Sequence, residues 1–217
     1  MLDSVLTNPL YFVLSLFSII VAIAIHEFAH AKTADYLGDP TPGLQGRLTL
    51  NPLAHIDRYG ILFLVLFGFG WGKPVQFDPF NLRHPRRDAA IISIAGPISN
   101  VLLATICSIF LRLLYLLDVS SITTIGSLLL ISLIAINLML AVFNLLPIHP
   151  LDGFHIVEGL LDKKQAAEWR RLERFGFIFL ILLIIPFGGS SMLSTILSPI
   201  LEFLYSIFIP ASANGIL

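Results

Sequence analysis

Long apolar runs constrain this chain more than any other feature of its sequence. Four stretches, 9–33, 89–117, 124–147 and 190–210, have about the 20 apolar residues that a helix needs to cross a hydrocarbon core of about 30 Å. Only 12% of the residues are charged, against about 25% in soluble domains, and the mean hydropathy is +0.88. The sequence therefore predicts an all-α polytopic membrane protein.

Two shorter apolar runs, 60–72 and 175–187, have the length typical of re-entrant or interfacial segments. We expect the first to dip into the membrane without crossing it, and the second to form a C-terminal helical hairpin with 190–210. Segments 39–58 and 71–81 are rich in Gly, Pro, Asp and Asn and contain the alternating pieces GRLTL and KPVQF. These pieces predict a small membrane-edge β-sheet.

Lysine and arginine accumulate in two of the three connections between the long runs. The connection near residues 118–123 contains none of them, whereas the other two contain Lys32, Arg47, Arg58, Lys73, Arg83, Arg86 and Arg87, and then Lys163, Lys164, Arg170, Arg171 and Arg174. Cytoplasmic loops carry the excess of Lys and Arg. We therefore expect an N-terminus outside, a first helix running inward, a second outward and a third inward.

Charge and cysteine content exclude some classes of function. The formal net charge of −1 and the lack of a long basic run argue against a nucleic-acid partner. The single cysteine, Cys107, cannot form an intrachain disulfide and is expected to be a small core residue. No signal-peptide pattern precedes the first apolar run, which we expect to be retained as a helix.

The motif His-Glu-Phe-Ala-His directly follows an uncharged stretch of sixteen residues, 10–25. His26 and His30 lie four residues apart on one helix face, so their imidazoles can meet at a divalent metal such as zinc. Glu27 is turned about 100° away and can serve as a general base instead. His26 lies about 22 Å along a core of about 30 Å, where charged groups are costly and usually functional.

A catalytic zinc site takes three protein ligands, so the chain must supply one more. We favour Asp152, because the third long run ends in NLLPIHPLDG on the expected cytoplasmic side, where the two histidines also lie. The prolines and the glycine of this motif break the helix and allow a sharp turn. A turn-forming aspartate without a metal is the alternative interpretation. The other candidate ligands are His55, His84, His149, His155, Asp35, Asp39, Asp57 and Asp78.

The motifs HEFAH, GRLTLNPLAHID, WGKPV, AGPISN and NLLPIHPLDG together resemble the site-2 proteases, which are intramembrane zinc metalloproteases. The resemblance covers about residues 20–160 and implies a three-helix catalytic core. It also matches the G-x-x-x-N signature of that family at Gly96 and Asn100. The chain is similar to compact members of the family that lack a PDZ or CBS domain.

The resemblance implies a role for five residues. His26, His30 and Asp152 are expected to bind one Zn²⁺ per chain. Glu27 is expected to be the catalytic base, and Asn144, in the NxxPxxxLDG pattern, to contribute to the substrate site. We expect a catalytic transmembrane core over 1–160, followed over 161–217 by a basic cytoplasmic segment and the C-terminal hairpin.

The resulting hypothesis is a zinc metalloendopeptidase that hydrolyses a peptide bond within or near a transmembrane segment of a substrate protein. We expect it in the plasma membrane of a prokaryote, with its active site towards the cytoplasm and its partners a membrane-protein substrate, the lipid bilayer and an accessory membrane protein. A metal-binding or metal-transport protein is the alternative, although the sequence lacks the repeated half-motifs of transporters. A third hypothesis is a scaffold that has lost catalysis, but the intact Glu27 argues against it.

Overall fold

The computed structural model describes residues 8–67, 70–117, 123–187 and 189–211, and this part of the chain is mostly helical. In chain order the helices and strands are α1 (Pro9–Tyr36), α2 (Thr41–Leu44), α3 (Arg58–Phe67), α4 (Pro85–Leu116), α5 (Thr123–Asn144), α6 (Asp152–Leu160), α7 (Lys163–Arg170), α8 (Glu173–Ile184), β1 (Pro186–Phe187), β2 (Ser190–Ser191) and α9 (Met192–Phe208). Two short 3₁₀ turns, Pro52–Ala54 and Pro79–Asn81, lie in the connection between α1 and α4.

Three helices of the described chain are long and apolar enough to cross a membrane: α1, α4 and the Ile125–Asn144 part of α5. All three pack against one another. Small buried residues such as Ala22, Ala104 and Ala141 lie on the three helices and let the backbones approach closely. The prediction of an all-α integral membrane protein with a three-helix core is confirmed.

The C-terminal segment differs from the fourth predicted span, 190–210. Helix α9 has 17 residues and a length of about 26 Å, which is short of a hydrocarbon core of about 30 Å. Its last turn is held by α4, because Arg112 donates to Ile207 O at 2.7 Å and Ser108 donates to Phe208 O. The antiparallel pair of β1 and β2 joins α8 to α9, as expected of a hairpin.

The predicted membrane-edge sheet is reduced to one isolated antiparallel bridge, between Ile56 and Gly72. Beside it, Lys73 N donates to His55 O at 2.7 Å. Side chains bond part of the remaining backbone, since the buried guanidinium of Arg47 donates to the carbonyls of Ala54 and Lys73. The pieces GRLTL and KPVQF therefore form no strand among the described residues.

Asp39 holds the ends of this connection together. Its fully buried carboxylate accepts hydrogen bonds from Thr41 N and Oγ1, from Asp78 N and from Asn81 Nδ2, at 2.6–3.0 Å. Burial would raise the pKa of Asp39, but these four donors lower it below the usual value. The chain that follows α1 is thus tied to the chain that precedes α4.

The described residues of the segment 60–72, which are 60–67 and 70–72, include no helix long enough to cross a membrane. Helix α3 has ten residues and a length of about 15 Å, half the thickness of the hydrocarbon core. The chain returns tightly against it, because a Cβ atom on Gly60 would lie 1.9 Å from Trp71 O. A dip of this segment into the membrane remains a prediction.

Candidate metal centre

The two histidines of α1 point into the three-helix bundle. His26 and His30 are 5% and 7% exposed, and their ring centroids lie 4.6 Å apart in an edge-to-face arrangement. The four-residue spacing of an α-helix accounts for this pairing. Both imidazoles are therefore sequestered from lipid and aimed at the same interior point.

Helix α4 sets the orientation of both rings. Nδ1 of His26 lies 2.6 Å from Asn100 Oδ1, and Nδ1 of His30 lies 2.7 Å from the carbonyl oxygen of Ile92. Both partners are hydrogen-bond acceptors, so each Nδ1 carries the proton and donates it. With its proton on Nδ1, each ring can present a lone pair on Nε2 when it is neutral, the form in which histidine binds a metal.

The amide of Asn100 is itself fixed by two acceptors. Its Nδ2 donates to Ala22 O at 3.1 Å and to Asn137 Oδ1 at 2.7 Å, and Asn137 Nδ2 donates to Leu133 O at 2.8 Å. These bonds leave Oδ1 of Asn100 directed at His26. A chain of amides thus runs from α5 through α4 to the histidine on α1.

Asp152 completes the cluster from the start of α6. Its Oδ2 lies 3.1 Å from His26 Nε2 and 3.3 Å from His30 Nε2, and this buried oxygen accepts no other hydrogen bond from the described residues. The three ligand atoms lie within 4.8 Å of one another. Two ring nitrogens and a carboxylate oxygen that face one point can hold a cation, and this donor set of two nitrogens and one oxygen fits Zn²⁺.

The turn between α5 and α6 carries Asp152 to this position. A Cβ atom on Gly153 would lie 2.3 Å from the carbonyl oxygens of Leu145 and Leu146, so only glycine fits there. Leu151 is extended, and α6 begins directly after it. The tight packing of this turn against the end of α5 agrees with the sharp bend expected from the LDG motif.

Gly96 allows α4 to approach the histidines. A Cβ atom at this position would lie 2.4 Å from His30 Nε2 and 2.6 Å from His26 Cε1. Gly96 follows Ile92 by four residues and precedes Asn100 by four, so the three lie on one face of α4. The G-x-x-x-N signature is therefore part of the site, a role that the sequence analysis did not assign.

Asn137 was missed by the sequence analysis altogether. It is fully buried within α5, where most of its neighbours in sequence are apolar. A buried amide in a spanning helix is costly unless it is paired, and its isolation in an apolar run was the available signal.

Glu27 lies beside the cluster but outside it. Its Oε2 accepts a hydrogen bond from Val75 N at 2.9 Å, and its Oε1 lies 3.8 Å from the position of a Cβ atom on Gly72. The side chain is partly exposed. The structure therefore keeps Glu27 off the face of His26 and His30 and against the segment 70–77, as the helical period predicts.

The structure does not bring Asn144 into the cluster. Asn144 is the last residue of α5, and its Nδ2 donates to Leu140 O of the same helix at 2.9 Å. Its contribution to a substrate site remains a prediction.

Several of the other candidate ligands have local partners instead. His55 is fully buried in its loop, with Nε2 2.8 Å from Thr49 O. Asp57 and Asp78 accept from backbone N–H groups two or three residues ahead in sequence, and Asp35 pairs with Lys32. His149 Nε2 lies 3.6 Å from Glu173 Oε1, and burial lowers the pKa of this histidine.

The chain is similar to one known protein family and to several known proteins. The model of peptidase family M50 matches residues 117–186, a segment that contains Asp152. YwhC of Bacillus subtilis, which is named as a zinc metalloprotease, is 39% identical over 189 residues, 83% of this chain and 86% of its own. Rip2 of Mycobacterium tuberculosis H37Rv, named likewise, is 31% identical over 183 residues, 79% of this chain and 66% of its own.

A more distant relative is found in an archaeon. Zinc metalloprotease MJ0392 of Methanocaldococcus jannaschii is 24% identical over 163 residues, 75% of this chain and 39% of its own. No solved structure matches the chain.

Proposed function

The chain belongs to peptidase family M50 and is a membrane-embedded zinc metalloprotease, and on that premise we propose that it hydrolyses a peptide bond within or near a transmembrane segment of a substrate protein. The single observation that carries the proposal is the depth of the cluster. His26 and His30 lie inside a 28-residue apolar helix and are enclosed by α4 and α6. A chain that reaches them must itself enter the membrane.

His26, His30 and Asp152 would hold one Zn²⁺ per chain. When bound, this ion polarises the scissile carbonyl and acidifies the attacking water. The hydrogen bonds from His26 to Asn100 and from His30 to Ile92 O hold the two rings in the metal-binding tautomer.

Glu27 would act as the general base and then as the general acid. It accepts the proton of the attacking water and returns it to the leaving amine. The Val75 N–H holds its carboxylate in place against segment 70–77, so the base is positioned before substrate arrives. A residue that exchanges protons in this way can be replaced by its amide without altering the metal ligands.

The substrate helix must unwind before attack, because its carbonyls are satisfied internally while it remains helical. Segment 73–77 is irregular and belongs to no strand in the described chain, and it touches Glu27 through Val75. It would support the unwound substrate by backbone pairing, and Asn144 would donate to the substrate backbone.

The proposed setting is the plasma membrane of a prokaryote, with the site opening to the cytoplasm. The accumulation of Lys and Arg in the two connections at the Asp152 end of the bundle supports this orientation. The proposed partners are the lipid bilayer, a membrane-protein substrate and an accessory membrane protein that presents it.

The decisive experiment compares Glu27→Gln with wild type in proteoliposomes containing a model transmembrane peptide. We expect Glu27→Gln to retain its zinc and lose cleavage, and Asp152→Ala to lose both. Glu202→Gln, which makes the same change at an exposed position of α9, is the matched control and should cleave normally. Full cleavage by Glu27→Gln would refute the assignment.

A further inference from the structure

A basic groove lies outside the metal centre, at the junction of α7 and α8. It has a volume of about 730 Å³ and is lined by His149, Arg170, Arg171, Glu173 and Arg174. We propose that this groove binds the phosphate of an anionic phospholipid headgroup. The site is distinct from the peptidase chemistry, and its occupancy can be measured without a substrate.

The charges of the groove are unevenly compensated. The guanidinium of Arg170 pairs with the buried carboxylate of Glu158, with Nε 2.8 Å from Oε1, and Glu173 lies beside His149. Arg171 and Arg174 are exposed, and no carboxylate of the described residues lies within 4 Å of either guanidinium. Two cationic side chains therefore face the groove opening without an acidic partner.

Arg174 is also held in orientation. Its guanidinium carbon lies 4.6 Å from the ring centroid of Phe175, a cation–π contact. This contact restrains the guanidinium beside the groove. A planar N–H edge matches the paired oxygens of a phosphate, which is why arginine binds phosphate in a bidentate manner.

The position of the groove selects a lipid as the source of that phosphate. Helix α8 begins at the groove, and its apolar side chains are exposed on most sides, with Phe175, Phe177, Ile178 and Phe179 all at least half exposed. Such a helix contacts acyl chains, so its polar beginning lies at headgroup level. A lipid seated there would place its phosphate between Arg171 and Arg174 and its chains along α8.

The orientation of the bundle agrees with this assignment. The groove includes His149, three residues before Asp152, and so lies at the end of the bundle with the dense Lys and Arg. That end is expected to face the cytoplasm, where bilayers carry negative headgroups.

Native mass spectrometry of the purified full-length protein tests the proposal. The protein is incubated in detergent with phosphatidylglycerol, with phosphatidylcholine or with glycerol 3-phosphate as a soluble phosphate. We expect at least about threefold more retained phosphatidylglycerol than phosphatidylcholine, and no comparable retention of glycerol 3-phosphate. Equal retention of the two lipids, or equally strong binding of the soluble phosphate, would overturn the lipid assignment.

Variants then locate the binding. Arg171→Gln with Arg174→Gln should reduce retained phosphatidylglycerol at least about threefold. The matched control, Arg83→Gln with Arg87→Gln, removes two exposed arginines before and at the start of α4 and should retain it normally. If the glutamine pair fails to fold, Arg171→Lys with Arg174→Lys keeps the charge but loses the planar edge, and should also lower retention. Unchanged retention in the groove variants, or an equal loss in the control, would refute the site.

Discussion

Oδ1 of Asn100 lies 2.6 Å from Nδ1 of His26, across the interface between α4 and α1. The contact fixes which nitrogen of the ring carries the proton and therefore which one faces Asp152. Because Asn100 is in turn bonded to Asn137, the orientation of this histidine depends on both of the other helices of the core. The orientation of this predicted metal ligand is thus coupled to the packing of the whole bundle.

Asn100→Ala removes the acceptor for His26 Nδ1 and frees the ring to rotate. Loss of such an outer partner typically lowers metal affinity by about 10–100-fold, and we expect a decrease of that order for zinc. Competition with a chromophoric chelator on purified protein measures it. Thr105→Val is the control on the same helix, since its exposed hydroxyl bonds to Val101 O of its own helix. Wild-type zinc affinity in Asn100→Ala would show that the contact is dispensable.

Much of the core was predictable from the sequence, because the signals are periodic or compositional. Hydropathy located α1, α4 and α5, and the four-residue spacing placed His26 and His30 on one face. The distribution of Lys and Arg put Asp152 on the same side of the membrane as the histidines. The structure brings these three residues together.

What escaped prediction depends on contacts between distant segments. Alternation in GRLTL and KPVQF favoured strands, but in KPVQF the carbonyl of Lys73 accepts from Arg47 and the N–H of Val75 donates to Glu27. Sequence cannot show that such a partner will be within reach. The role of Asn137 escaped prediction for the same reason, because Asn137 acts on the site through its hydrogen bond with the amide of Asn100 on another helix.

Gly96→Ala tests the close approach of α4 to the histidines. The added methyl group would lie within 2.4 Å of His30 Nε2, so a ring or the helix must move. We expect zinc content to fall at least about tenfold, because ligand geometry is displaced. Gly43→Ala is the control, since its Cβ would meet only the flexible end of Leu48 at 3.3 Å. Normal zinc content in Gly96→Ala would mean that the interface can relax without cost.

Asp39→Ala should destabilise the fold, because the backbone N–H groups of Thr41 and Asp78 lose the carboxylate to which they donate. We expect a cost of about 2–4 kcal/mol at pH 7. The pKa of Asp39 is lower in the folded protein than in the unfolded chain, where it is near 3.8. The stabilisation that ionised Asp39 gives the folded state is therefore fully present above pH 3.8 and is lost as the pH falls through the folded-state pKa. Thermal unfolding in detergent from pH 7 to pH 3 should show the gap between variant and wild type narrowing only in acid.

The length of α4 predicts that the residues before and after this helix are accessible from opposite sides of the membrane. Its 32 residues extend about 48 Å, so Arg83 and Leu117 should emerge on different sides of the membrane. Single cysteines at these two positions, in a Cys107→Ala background, should react with an impermeant maleimide from opposite sides of sealed vesicles. Labelling of both from one side would contradict the topology.

Metal removal should loosen the contact between α1 and α6. Without a cation, Nε2 of His26 and Nε2 of His30 face Asp152 Oδ2 at 3.1 and 3.3 Å, with both Nδ1 protons already committed elsewhere. A ligand at 100 times its Kd stabilises the folded state by about 2.7 kcal/mol, which corresponds to about 5–10 °C in Tm for a chain of this size. We expect a chelator to lower the Tm of wild type by that amount and zinc to restore it. Asp152→Ala should unfold at the same temperature with or without the chelator, because the third ligand that joins the two helices is gone. A chelator effect of equal size in wild type and Asp152→Ala would place the stabilising metal elsewhere.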